Sequence, residues 1–148
     1  MTMKLIALFA ACALALGATA CSSESISHDA TQIPAKARNL ISSNFTSAIS
    51  LVETEKNLGS VHEYEVTLTD GTEITFNGGG EWESIDTPAG TPVPAGLVPT
   101  AIAEYVEQKH AGAFIIGIEK NKKGYEIELS NRVEIQFDAA GNFMNYDK

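Results

Sequence analysis

Cysteine is nearly absent from this chain: there are two, Cys12 and Cys21, and Cys12 falls in an N-terminal segment that reads as a removable export leader. The exported portion therefore keeps one thiol, at its very start, and cannot be held by an internal disulfide. Histidine is scarce too. His28, His62 and His110 have no Cys or second His at ligand spacing, which argues against the usual metal patterns and against a His-based nucleophilic site. Basic residues number 10 against 19 acids, a net charge of −9. The leader contributes Lys4 and no acid, so the exported part is more acidic still; this argues against nucleic acid and against electrostatic adsorption to anionic lipid. Long hydrophobic runs are missing. The stretch Leu5 to Leu16 is short of the roughly 20 residues a membrane span needs, but fits the apolar region of a signal peptide.

Two cleavage readings meet at the same bond. Ala18-Thr19-Ala20 satisfies the small-x-small rule of ordinary signal peptidase, whereas Ala18-Thr19-Ala20-Cys21 resembles a bacterial lipobox whose Cys becomes the lipidated first residue. A lone thiol in an oxidising compartment favours lipidation of Cys21, with a soluble periplasmic protein as the alternative. Residues 1–20 are read as the leader, 21–32 as a polar, weakly structured tether, and 33–148 as one domain large enough to bury a core.

What the sequence does contain is an internal echo. Tyr64, Glu65, Leu68, Glu73, Ile74, Phe76, Gly80 and Asp86 recur in the same order and spacing as Tyr125, Glu126, Leu129, Glu134, Ile135, Phe137, Gly141 and Asp147. Upstream of each set lies a helical pattern. Ile33-Pro34 precedes Ala37, Leu40, Ile41 and Phe45, while Val98-Pro99 precedes Ile102, Tyr105, Val106 and His110, so each has apolar spacing on one face and a Pro near the first turn. Segments 48–55 and 113–120 read as strands whose facing is ambiguous, since apolar residues occupy both parities.

The next strands are clearer and set a register. Tyr64, Val66 and Leu68 alternate with acids and Thr, as do Thr72, Ile74 and Phe76. A two-residue turn would set one strand's apolar face against the other's polar face. A three-residue turn, Thr69-Asp70-Gly71, instead pairs Tyr64 with Phe76 and Val66 with Ile74, with Gly71 in the left-handed position. The same rule pairs Tyr125 with Phe137 and Ile127 with Ile135, but puts Arg132 where Gly71 stands. A side chain there costs on the order of 1 kcal/mol, so the second turn is expected to relax differently. Further strands, 82–86 and 143–147, follow Gly78-Gly79-Gly80 and Gly141. The Gly run lacks the continuation and helix of a phosphate-binding loop and reads as a plain turn.

The expected fold is α+β: two tandem α-β-β-β-β repeats, 33–87 and 98–148, joined by a linker at 88–97. They would form an antiparallel sheet of about eight strands with helices on one face. The paired Tyr-x-(Val/Ile)-x-Leu, Glu-Ile-x-Phe and Gly-x-(Trp/Phe) segments, with the Gly90-Thr91-Pro92-Val93-Pro94 linker, resemble the PepSY-like family of exported bacterial proteins, also described as β-lactamase-inhibitor-protein-like. That resemblance implies a tandem α/β repeat and a non-catalytic binding or inhibitory role at the envelope.

The polar sheet face is the candidate site. The register sets Glu65 against Thr75, Thr67 against Glu73, Glu126 against Gln136 and Glu128 against Glu134. Directly opposed like charges destabilise a sheet unless solvent or cations such as Lys122, Lys123 or Arg132 relieve them. Glu65, Glu73, Glu126, Glu128 and Glu134 are therefore read as the receiving surface for a basic protein or peptide of the envelope, with Trp82, the sole Trp, as an anchor at the edge of the first repeat. The alternative is a periplasmic sensor or binder of a cation or small ligand. No cofactor or resident metal and no catalytic pair are expected.

Overall fold

The computed structural model describes residues 22–147. Its nine strands form one sheet in strict chain order, every neighbouring pair antiparallel. Strand β1 spans Ser22–Ser27; helix α1, Ala35–Asn44, leads into β2 (Ile49–Asn57), β3 (Ser60–Leu68), β4 (Glu73–Asn77) and β5 (Trp82–Asp86). Helix α2, Thr100–Lys109, then leads into β6 (Ile115–Asn121), β7 (Gly124–Leu129), β8 (Glu134–Asp138) and β9 (Phe143–Tyr146).

Both helices start immediately after a proline. Pro34 and Pro99 hold φ at −54° and −55° in the N-cap position, a pre-set entry that requires no side-chain cap. Each helix then buries two residues four apart, Ala37 and Ile41 in α1, Ile102 and Val106 in α2. Those residues join one core with Val52, Val66, Ile74, Phe76, Ile85, Ile118, Ile127, Ile135 and Phe137, so both helices cover the same face of the sheet. Each fully buried Ile or Phe contributes roughly 1.5–3 kcal/mol by leaving water.

The hairpin register agrees with the alternation argument. Tyr64 pairs with Phe76 and Val66 with Ile74, and Leu68 N–H donates to Thr72 O at 2.8 Å across a three-residue turn. Tyr125 pairs with Phe137 and Ile127 with Ile135 in the same way. The expected relaxation of the second turn does not occur: Arg132 adopts φ 68° where Gly71 has 89°, and both N–H groups donate to the equivalent Leu carbonyl, at 2.8 and 3.0 Å. Strand alternation on both sides dictates the turn's shape, and the local penalty is absorbed. The Gly-rich turn is a plain one: Asn77 Oδ1 accepts from the N–H groups of Gly79 and Glu81, and Asp138 Oδ1 accepts from those of Ala140 and Asn142.

Two expectations are corrected. Residues 22–27 are not a loose tether but an edge strand, pairing from Ser22 with Asn57 to Ser27 with Val52, which raises the sheet from about eight strands to nine. Their polarity misled because an edge strand is held by backbone hydrogen bonds and need not bury its side chains. Trp82 starts the last strand of the first set, but that edge is not open, since β5 pairs with β6 and is the central strand of the sheet. The leader and Cys21 lie outside the described residues.

Candidate binding face

Because side chains alternate along each strand, the parity that sends Val66 and Ile74 into the core sends their neighbours to the other side of the sheet. The registers then fix who meets whom. Glu24 pairs with Glu55, Glu55 with Glu63, Glu53 with Glu65, Glu73 with Asp86, Glu119 with Glu126, and Glu128 with Glu134. Opposed residues have Cβ atoms about 4.5–5.5 Å apart, close enough for like charges to repel. The uncovered face is thus acidic almost from one edge to the other.

Titration behaviour follows first from burial within that face and then from the crowding of its charges. Glu65 is pushed up to about 7, first by desolvation and then by Glu53, Glu73, Glu63 and Glu24. Asp86 rises to about 6, again by desolvation and then by Glu73, Glu128 and Glu119. Glu63 is raised by burial and by Glu55 and Glu83. At the far end, oxygens of Glu126, Glu134 and Asp147 lie within 4.8 Å of one another. Gln136 Nε2 donates to Asp147 Oδ2 at 3.1 Å. Arg132 reaches Glu128 at 3.5 Å, with its own side chain mostly in solvent, whereas Lys122 lines a cleft on the helix side.

The structure gathers Glu65, Glu73, Glu126, Glu128 and Glu134 on one face, as the alternation requires, and separates Trp82 from them. Trp82 packs on the helix side, with Lys120 Nζ 3.4 Å from its ring centroid, in a cleft of about 650 Å³ shared with Lys36, Glu81 and Lys122. Lys36 pairs with Glu81 at 2.7 Å at its rim. Sequence reasoning missed Glu24, Glu53, Glu55, Asp86, Glu119 and Asp147 as members of the face. The alternation of Glu53 with Glu55 was visible, but its side was not, because the first strand of each set has apolar residues on both parities.

The described residues thus form an open antiparallel sheet with helices packed on one side and an uncovered acidic surface on the other. The chain belongs to the family described as "putative beta-lactamase-inhibitor-like, PepSY-like", whose model matches residues 62–145. A crystal structure of a "putative periplasmic protein of unknown function" from Bacteroides vulgatus is 34% identical, with a TM-score of 0.79, covering 85% of this chain and 100% of the other. A "putative calcium-regulated periplasmic protein" from Bacteroides thetaiotaomicron is also 34% identical, with a TM-score of 0.76 and coverage of 84% and 97%. A second "putative periplasmic protein" from B. vulgatus, 28% identical, aligns over the same shares with a TM-score of 0.76. No curated protein matches the chain. These relatives support an exported, periplasmic location.

Proposed function

We propose that this protein is a non-catalytic extracytoplasmic binding module whose acidic sheet face receives a basic protein or peptide of the envelope. The observation that carries this reading is the set of directly opposed carboxylates, above all Glu53 with Glu65 and Glu128 with Glu134. Such pairs cost stability in the free protein, and a cationic partner converts that cost into affinity. The inhibitor-like description of the family supports the same reading. The test is capture from envelope extract by wild type and by a variant reversed at Glu126, Glu128 and Glu134. One enriched partner lost on reversal is the expected result, and unchanged capture by the reversed variant overturns the assignment of the face.

A second reading, that the ligand is a divalent cation, is favoured by the Glu126, Glu134 and Asp147 cluster and by the calcium-regulated description of one relative. Three carboxylates supply hard oxygen donors of the kind Ca²⁺ takes, with water completing its six to eight ligands. Calorimetric titration with Ca²⁺ and with cationic peptide separates the two readings, since the second requires binding of the ion alone.

Lipidation of Cys21 forms part of the proposal. With β1 starting at the next residue, an anchored chain would carry its β1 edge close to the bilayer and its β9 edge at the far side of the sheet. Cys21→Ser should release the protein from membranes; a variant that stays in the membrane fraction removes the anchor.

A further inference from the structure

The two edges of the sheet differ. Among the described residues, β9 pairs with β8 on one side only, so its outward N–H and C=O groups form an open ladder. Of the five exposed large hydrophobic residues among those described, three are in β9: Phe143 (40% exposed), Met144 (46%) and Tyr146 (44%). These are not frayed. Tyr105 of α2 stacks on Phe143, centroids 5.0 Å apart and planes within 6°, and the Tyr146 hydroxyl meets Tyr105 Oη at 3.0 Å and His110 Nε2 at 3.2 Å. Helix α2 thus holds an aromatic shelf beside the unpaired edge. On the other side of the same edge lie Glu134 and Asp147, at the border of the acidic face. Strand β1 offers no such shelf. Its single large apolar side chain, Ile26, sits among Ser and Glu beside Glu53.

We propose that the β9 edge takes up an extended peptide segment of alternating apolar and basic residues as an added strand. Its apolar side chains lie along Phe143 and Tyr146, and its basic ones along Glu134 and Asp147. An added strand has the same period of two as the sheet, so one residue set falls on the aromatic side and the other on the acidic side. Charge decides against a second copy of this chain. A β9–β9 junction would set one acidic face beside another, whereas a basic strand continues the face with opposite charge. Pre-ordering of the shelf by α2 lowers the entropy lost on binding. The inference rests on the acidic-face reading and adds the place and the conformation of the partner.

The experiment uses short peptides of strictly alternating Lys and Val, unmodified or N-methylated on one or the other alternate set of amides, and a Glu-Val counterpart. Titration against the exported chain is combined with amide exchange. Binding of the Lys-Val peptide, slowed exchange across Phe143–Tyr146, and loss of about tenfold or more in affinity for one N-methylated set but not the other are expected. Equal binding of both methylated sets overturns edge pairing while leaving the acidic face as a docking surface. Equal binding of the Glu-Val peptide overturns the charge rule, and with it the face reading, even if β9 is protected. No binding of any peptide, or concentration-dependent dimerisation protecting β9, overturns the proposal outright.

Discussion

Glu128 stands directly across from Glu134 on neighbouring strands, and Arg132, mostly in solvent, approaches Glu128 at 3.5 Å. A sheet built for stability alone would place opposite charges there. Glu128→Gln should therefore stabilise the free protein by several tenths of a kcal/mol to about 1 kcal/mol at neutral pH, read from the urea midpoint. The same change should weaken capture of a basic partner, the trade expected of a binding surface.

Stability should rise on mild acidification. Glu65 and Asp86 have folded-state values of about 7 and about 6, above their ordinary values of 4.5 and 3.8. A raised carboxyl favours the folded state when protonated, so the gain is complete below the unfolded value and is lost as pH rises through the folded one. Discounted for the solvent that screens the half-buried Glu65, the urea-derived stability should increase by on the order of 1–3 kcal/mol between pH ~8 and ~5. Asp29, Asp70 and Asp138, which are lowered by hydrogen bonds to Thr31, Thr72 and Asn142, act in the opposite sense only at more acidic pH. A flat or falling profile over the same range would contradict the crowded face.

Arg132→Gly should stabilise the second hairpin by about 0.5–1 kcal/mol, because φ 68° costs a side-chain-bearing residue what glycine does not spend. The exposed contact with Glu128 offsets little of this. Gly71→Arg should cost a similar amount in the first hairpin, and thermal melts of the two variants should shift in opposite directions.

Two glycines with positive φ should respond differently to alanine. At Gly59 (φ 82°) a Cβ meets nothing, so the penalty is conformational only, about 1 kcal/mol. At Gly124 (φ 143°) it would lie 2.3 Å from Phe137 O and Asp138 C, backbone atoms of the paired strand that cannot move aside singly. Gly124→Ala should cost about 2–4 kcal/mol in denaturant unfolding.

Trp82 is the sole Trp, so its fluorescence reports on the cleft. Lys120 is held over its ring and its ammonium is lowered chiefly by desolvation. Lys120→Ala should expose the ring, shift its emission to longer wavelength and cost about 0.5–1 kcal/mol. An unchanged spectrum would mean that the cation does not shield the indole.

How much of this was legible follows from how local each feature is. The pairing of Tyr64 with Phe76, and the identity of Gly71 as the left-handed residue, depend on alternation and a three-residue turn, all within a short stretch of chain. Strand β1 was not legible. Ser-Glu-Ser-Ile-Ser has no buried face to advertise it, and it is a strand because β2 supplies backbone partners from far along the chain. The acidic face was legible in its hairpin half and hidden in the other. Glu53, Glu55 and Glu119 join it from β2 and β6, the strands whose parity the sequence left open.

By itself the sequence determined the two helices with their proline starts, the hairpin registers, and therefore that Glu65, Glu73, Glu126, Glu128 and Glu134 lie on the side away from the core, because period and turn length act over neighbouring residues. Only the tertiary structure decided that β1 joins the sheet as a ninth strand, that Trp82 lies on the helix side away from the acids, and that β9 ends the sheet with its aromatic residues against α2. Those outcomes depend on which distant backbone groups satisfy one another and which surfaces exclude water together, and no local pattern encodes either.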